Sequence, residues 1–466
     1  MPDDAYSNRA SSVTPINQIF LEAIEAWRHL DLSRTQPYNE MQVWDAANDT
    51  SIQFDWSAEA VAYNAPLRTV ATMVENANLS RAVLKRIDIL QANDSLLSGW
   101  TVKSIGNGVD DPDGCNLSTW PVLDLRRLGA NGKATTRRVA TRLLIGADGI
   151  NSPVRTFAGI NTNGWDYGRH GVVATLKVEP SDASTLTSAG ENPEFNAALE
   201  DFLSDEPEDT SNSTKTEGTR TIAPSNKAIA FQRFLPQQGG PIAILPLPNN
   251  HASLVWSTTP QIAGYLKSLS PSAFVTVVNA ALRLESVDIA HLLTLAKSSS
   301  PDDAYRSELT WRLQHTKASP PSRQPPWVIG LQENTVASFP LRLRNATAYT
   351  APRIALAGDA AHTIHPLAGQ GLNLGLGDAE ALARSIEYAV EHGMDIGDLM
   401  ALEQYGRERY SAAVQMSSGV DLLNSAYQLG ANDGLAGTLL GKARGLGMWM
   451  VGAIPGAKEA VMRTAD

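Results

Sequence analysis

The chain has 466 residues, 43% of them hydrophobic and 19% charged, which is the balance of a globular protein long enough for two domains sharing a large core. A formal charge of −11 argues against nucleic acid as a partner, because phosphate backbones need a basic face. The single cysteine, Cys115, excludes an internal disulfide framework, and the eight histidines show neither HExxH nor CxxC…H spacing, so no metal centre is expected. No apolar run approaches the roughly 18 residues of a membrane span. The first residues, "MPDDAYSNRA", have neither an apolar signal core nor the Arg-rich look of a transit peptide.

In chain order, residues 41–55 alternate around "AANDTS" and predict a hairpin. "ENANLSRAVLKRI" (75–87) predicts a helix with Leu79, Val83 and Leu84 on its apolar side. "WTVKSI", "WPVLDLRRL" and "RVATRLLIGADG" read as strands, the last a buried one entering a tight Asp-Gly turn. Strands follow at 170–179, 228–236 and 241–258, the last a pair joined at "PNN", and then helices near 260–269 and 271–284. Between the first two of these strands lies an acidic, Ser/Thr-rich surface insertion, about 180–226. The stretch "SSSPDDAYRSELTWRLQHTKASPPSRQPP" predicts a second, loop-rich excursion. A strand at 336–344 precedes "RIALAG" (353–358), and residues 372–466 read as mostly helical.

The densest signal is "RIALAGDAAHTIHPLAGQGLNLGLGDAEALA" (353–383). It predicts a buried strand ending at Gly358-Asp359, a Gly/Pro-shaped loop, and a helix from near Leu372. The apolar side of that helix would hold Leu376, Ala379, Ala383, Ile386 and Val390, with Gly393 as its cap. A loop opening a helix in this way aims free N–H groups and a positive dipole end at a ligand. Asp359, at the carboxyl end of a strand, suits ligand hydroxyls. By themselves these residues fit a ligand-free strand–turn–helix equally well, with His362 and His365 as core or rim histidines.

This stretch closely resembles the second flavin motif of single-component aromatic-ring hydroxylases of the para-hydroxybenzoate hydroxylase-like family. "LLIGADGINSPVR" (143–155) resembles their Asp-Gly motif. "YSNRASSVTP", "QPYNEMQVWDA", "VENANLSRAVLKRI", "FQRFLP…GPIAILPLP", "SLVWSTTP" and "SFPLRLRNATAY" are similar to the ubiquinone-biosynthesis branch of that family. The resemblance implies an α/β fold: a Rossmann-type FAD-binding domain interleaved with a mixed β-sheet substrate domain and a helical C-terminus. The implied segments are 1–159, 160–348 and 349–466, with hairpin 41–55 joining the substrate domain. It implies FAD as cofactor, O2 as oxidant, and hydroxylation of a polyprenylated phenol through a flavin hydroperoxide in coenzyme Q biosynthesis. It also implies a reductant, either a ferredoxin with its reductase or NAD(P)H; the residues show no second nucleotide fingerprint. Other coenzyme Q biosynthesis proteins are implied partners, and the implied location is the matrix face of the mitochondrial inner membrane.

Residue by residue, the resemblance places Asp359 at the ribityl chain and Gly369, Gly371, Leu372 and Asn373 at the flavin pyrimidine edge. It places Asp148 and Gly149 near the pyrophosphate, and Arg9 and Asn76 against FAD. His362 and His365 are candidates for lining the flavin–substrate boundary, without a catalytic base being assigned. Arg81 reads either as a phosphate contact or as a solvated helix arginine. Phe231, Phe234, Leu245, Trp256 and Phe339 read either as an apolar substrate wall or as core. The C-terminal "LAGTLLGKARGLGMWMVGAIPGAKEAVMRTAD" reads either as a helix packed on the protein or as one in peripheral membrane contact. Family members open with strand–GxGxxG–helix ahead of the arginine matched by Arg9, and this sequence begins just before it. The expectations are therefore weak or absent FAD binding, an exposed strand edge beside the missing unit, and, as alternatives, a flavin-deficient, non-catalytic homologue in a biosynthetic complex or a hydroxylase of another phenolic substrate.

Overall fold

The computed structural model describes residues 5–46, 50–56, 69–92, 95–110, 114, 116–129, 132–180, 228–295, 302–316, 324–364 and 369–428. The acidic insertion, His365 and the C-terminal amphipathic stretch lie outside these residues.

Strand β1 (Ala10–Val13) leads into α1 (Pro15–Ala23), followed by β2 (Thr35–Tyr38), β3 (Glu40–Asp45), β4 (Ser51–Asp55), β5 (Ala71–Glu75) and α2 (Asn76–Ile89). Next come β6 (Trp100–Asn107), β7 (Pro121–Leu128), β8 (Ala134–Ala140), β9 (Leu144–Gly146) and the short α3 (Pro153–Phe157). Strands β10 (Thr162–Val178), β11 (Ile229–Leu235), β12 (Gly240–Leu247) and β13 (His251–Thr258) run into α4 (Pro260–Leu266), α5 (Pro271–Arg283), α6 (Ser286–Leu295) and α7 (Asp302–His315). Finally β14 (Val328–Leu331), β15 (Ala337–Ala346), β16 (Thr350–Ala351), β17 (Ile354–Leu356) and β18 (His362–Thr363) precede α8 (Gly371–Glu391) and α9 (Leu399–Gln428).

A nine-stranded mixed sheet, ordered β18-β15-β10-β13-β12-β11-β3-β4 with β14 added on β10, forms the largest layer. The expected hairpin is β3–β4, and it joins this sheet through the parallel β3–β11 pair. Strands β12 and β13 turn at Asn249 and Asn250, both at φ 55, where asparagine tolerates the left-handed backbone of a tight hairpin. Two Xaa-Pro steps start the covering helices. Thr259 accepts from Ile262 N at 3.2 Å and Ser270 from Ala273 N at 3.1 Å, each ahead of a proline whose missing N–H costs nothing there.

Strand alternation assigns the two faces of the sheet. Val172, Ala174, Leu176, Ile242, Ile244, Leu254 and Trp256 point one way and bury against α5, in which every residue from Ala273 to Arg283 is buried. Phe231 and Trp256 belong to this helix-covered core, so the structure takes them out of the expected substrate wall. Phe234 packs with Val43 and Ile52, and Leu245 with the Tyr38–Met73 cluster, both on the opposite face; Phe339 is 41% exposed.

Four further sequence expectations change. Residues 302–315 of the supposed loop-rich excursion form α7, seated by buried Tyr305 and Leu309. "RVATRLLIGADG" divides into β8 and β9, with Ile145 43% exposed between buried Leu144 and Gly146. On α8 the buried stripe is Leu374, Asp378, Ala381, Leu382, Ser385 and Ala389, rotated from the expected side, and Val390 is exposed. On α2, Leu79 is buried and Leu84 is not. Among the described residues β9 pairs only with β17. No described helix is long and apolar enough to cross a membrane.

Trp256 is fully buried at the centre of the helix-covered core. Trp256→Ala is expected to cost about 3–5 kcal/mol of stability by cavity formation. Denaturant unfolding checks this, and a loss below about 1 kcal/mol contradicts the core assignment.

Candidate functional site

Two short parallel strands organise the site. β9 and β17 pair in register from Leu144 opposite Ile354 to Gly146 opposite Leu356, and Ala357 N donates to Gly146 O at 2.9 Å. Asp148 follows β9 by two residues and Asp359 follows β17 by three, so both emerge from the same, carboxyl end of neighbouring strands. In open α/β sheets this end is where ligands bind.

Arg155 locks the two turns together. Its Nη1 donates to Ala360 O and its Nη2 to Ile150 O, both at 2.7 Å. The arginine is held at the start of α3, where Ser152 caps Arg155 N at 2.9 Å and Asp148 Oδ2 accepts from Val154 N at 3.2 Å. Asp148 is thus partly spent on its own turn, and Gly149 beside it takes φ 87, a region glycine enters freely.

Helix α8 forms the second wall. Gly369, at φ 63, brings the chain against β1, and Leu374 N begins the helical ladder by donating to Gln370 O at 2.9 Å. The amides of Gly371, Leu372 and Asn373 belong to the first turn, which a helix leaves without intrahelical partners. The Asn373 side chain is engaged with protein: its Nδ2 donates to Ser12 O at 2.8 Å, and its Oδ1 accepts from Thr14 N at 3.2 Å and Asn17 Nδ2 at 3.3 Å. It fastens α8 to β1. Arg9 and Asn76 meet at the other end of β1, where Asn76 N donates to Arg9 O at 2.9 Å and Asn76 Oδ1 accepts from Ser11 Oγ at 2.8 Å. Arg81 turns toward Asn78, donating from Nη2 to Oδ1 at 2.9 Å.

The two walls are joined by His362 together with residues not singled out from the sequence. Asp378, fully buried, accepts from Gly358 N at 2.8 Å and from His362 Nε2 at 2.7 Å through Oδ2, and from Arg409 Nε at 2.8 Å through Oδ1. Burial alone would raise the Asp378 pKa, but the His362 and Arg409 hydrogen bonds and charges outweigh it and hold it below the ordinary carboxylate range. His362 is 2% exposed, and its ring lies 5.9 Å from that of Tyr349. Gly377 permits the approach of Arg409, because a Cβ there would sit 2.8 Å from Arg409 Nη2. Tyr405 on α9 donates to Leu356 O, tying the same helix to β17. A carboxylate on the buried stripe of an apolar helix was the available signal for Asp378. Arg409 sits among "EQYGRERY" with nothing to mark it.

Asp359 is exposed by surface area, yet surrounding protein displaces enough water to raise its pKa, partly offset by His362 nearby. Three features fit the ribityl–pyrimidine end of a flavin: this open carboxylate, the free space over Gly371 at the start of α8, and two buried polar atoms. Those atoms, His362 Nδ1 and Thr363 Oγ1, have no hydrogen-bond partner among the described residues.

Comparison with known proteins decides the family. Residues 288–419 match the family model described as an FAD binding domain. The ubiquinone biosynthesis monooxygenase COQ6 of Schizosaccharomyces pombe is 33% identical over 432 residues, 91% of this chain and 76% of that protein. The Homo sapiens protein of the same name is 32% identical over 465 residues, 99% and 83% of the two chains. The chain belongs to the ubiquinone biosynthesis monooxygenase family. It is accordingly an FAD-dependent flavoprotein oxidoreductase. The fold agrees with p-nitrophenol 4-monooxygenase from Pseudomonas putida, with a TM-score of 0.58, 14% identity and coverage of 99% and 89%. It also agrees with Klebsiella pneumoniae HpxO complexed with FAD and uric acid, with a TM-score of 0.52, 14% identity and coverage of 99% and 88%.

The raised Asp359 pKa sets a prediction for this monooxygenase. A folded value above the unfolded one means the group's favourable contribution is complete below the unfolded pKa and is lost as pH rises through the folded value. At neutral pH the ionised carboxylate therefore slightly opposes folding of the flavin-free chain. Asp359→Asn is expected to leave the flavin-free Tm at pH 7 unchanged or slightly raised while weakening FAD binding. A large drop in Tm contradicts a ligand-directed role.

Proposed function

We propose that this chain hydroxylates the aromatic ring of a polyprenylated phenol or benzoate in ubiquinone biosynthesis, using FAD, O2 and an external reductant. The observation that carries the proposal is the Arg155 bridge, which holds the Asp148 and Asp359 turns side by side at the carboxyl ends of β9 and β17. Asp359 is the acceptor for ribityl hydroxyls. The backbone amides of Gly371, Leu372 and Asn373, at the positive end of the 21-residue α8, face the pyrimidine edge, with Gly369 shaping the approach. Asp148, Gly149, Arg9 and Asn76 lie toward the phosphate side of the same cofactor.

Bound FAD supplies the oxygen activation and hydroxyl transfer. The protein's share is to orient the ring, exclude water and stabilise negative charge on the flavin, for which oriented helix amides suffice. The substrate ring lies against the face of the nine-stranded sheet that turns away from α5, the face carrying Phe234 and Leu245. The described residues of 1–159 and 349–428 build the cofactor side, and those of 160–348 with the β3–β4 hairpin build the substrate side. The relatives named mitochondrial COQ6 support a mitochondrial location. The matrix face of the inner membrane, other coenzyme Q biosynthesis proteins as partners, and a ferredoxin with its reductase or NAD(P)H as donor are part of the proposal and follow from the family resemblance alone.

Purified chain mixed with FAD, a reductant and a short-chain prenylated phenol is expected to consume O2 and release a product heavier by one oxygen atom. Oxygen uptake and mass spectrometry check both. Uptake that yields only hydrogen peroxide, whichever phenol is offered, contradicts the substrate class.

A further inference from the structure

The hub at Asp378 does more than brace the fold. The carboxylate sits seven residues along α8 from Gly371, about 10 Å from the helix start at 1.5 Å per residue. Through Oδ2 it holds Gly358 N and His362 Nε2, which flank Asp359 on either side. Through Oδ1 it holds Arg409, whose Nη2 also donates to Leu374 O at 3.1 Å. One buried anion and one largely buried cation, with side chains 0% and 13% exposed, therefore stand directly behind the flavin-facing loop and helix start. Charges so placed are poorly screened and act over this distance.

We propose that Asp378 and Arg409 form a positioning pair that fixes Asp359 against the α8 amides and balances the charge felt by the flavin. This rests on the flavin reading of the site. The geometric part follows because one oxygen accepts from both sides of the Asp359 turn. The electrostatic part follows because the two charges are opposite, so removing either leaves the other uncompensated beside a ring that gains negative charge on reduction.

Removing each partner shifts the flavin in opposite directions. Asp378→Asn leaves the Arg409 cation unbalanced and raises the flavin reduction potential. Arg409→Gln leaves the Asp378 anion and lowers it, and Arg409→Lys, which keeps the charge, stays near the wild type. The double variant Asp378→Asn/Arg409→Gln, in which neutral amides face one another, returns toward the wild-type potential. Asp378→Asn is also expected to weaken FAD binding by about tenfold, roughly 1.4 kcal/mol.

The experiment is FAD titration by fluorescence quenching, with spectroelectrochemical potentials for the wild type and all four variants, and thermal melts of the flavin-free chains. Opposite shifts with recovery in the double variant support the pair. Equal-signed or absent shifts, a double variant worse than either single one, or Asp378→Asn chain that binds FAD like the wild type overturn it. If Asp378→Asn does not fold, the opposed behaviour of Arg409→Gln and Arg409→Lys decides. A wild-type chain that takes up no FAD overturns the flavin reading itself, and this inference with it.

Discussion

A single buried carboxylate sets the relation between the two halves of the site. Asp378 lies inside the packing of α8, where an unpaired charge would be strongly unfavourable, and it is tolerated because three donors converge on it. Each donor comes from a different piece of structure: the end of β17, strand β18 and helix α9. Their requirement for a common acceptor fixes α8 relative to the strands. Because Asn373 pins the first turn of α8 to β1, that constraint reaches the Arg9–Asn76 corner as well.

The opposite side of the molecule depends on apolar packing instead. The nine-stranded sheet buries one face under α4–α7 in a continuous core containing Trp44, Phe231 and Trp256, and presents its other face elsewhere. A sheet braced on one side by fully buried α5 is a rigid wall, and rigidity is what a hydroxylase needs to hold a ring at a fixed angle. The proposed cofactor side is thus organised by hydrogen bonds and charge, and the proposed substrate side by shape.

Much of this was legible in the sequence where local chemistry is strong. The β3–β4 strand pair, the "PNN" turn, the helices near 260 and 271 and the turns at Asp148-Gly149 and Gly358-Asp359 appear where their residues demand them. The pairing of β9 with β17, its register and the Arg155 bridge across it connect residues about 200 positions apart, and no local pattern announces them. Helix α7 was missed because its flanks, "SSSPDD" and "SPPSRQPP", carry loop chemistry while only Tyr305 and Leu309 mark a buried side. The rotated stripe on α8 has a clear cause: the sequence reading followed apolar residues, whereas the helix buries Asp378 and Ser385, whose polarity hid the true face. For the same reason Phe231 and Phe234 could not be sorted by type alone. Being three apart on a strand, they point to opposite faces.

The proposed flavin site requires that the Asp148 and Asp359 turns share one ligand. The most direct measurement is FAD binding, followed by flavin fluorescence quenching, to the wild-type chain and to Asp148→Ala, Asp359→Ala and the doubly substituted chain, with folding of each verified by circular dichroism. Saturable binding to the wild type, weakened by each single change and weakened less than additively by both together, is the predicted result, since residues that touch one ligand are coupled. Folded chains that bind FAD equally well with and without these aspartates would contradict it.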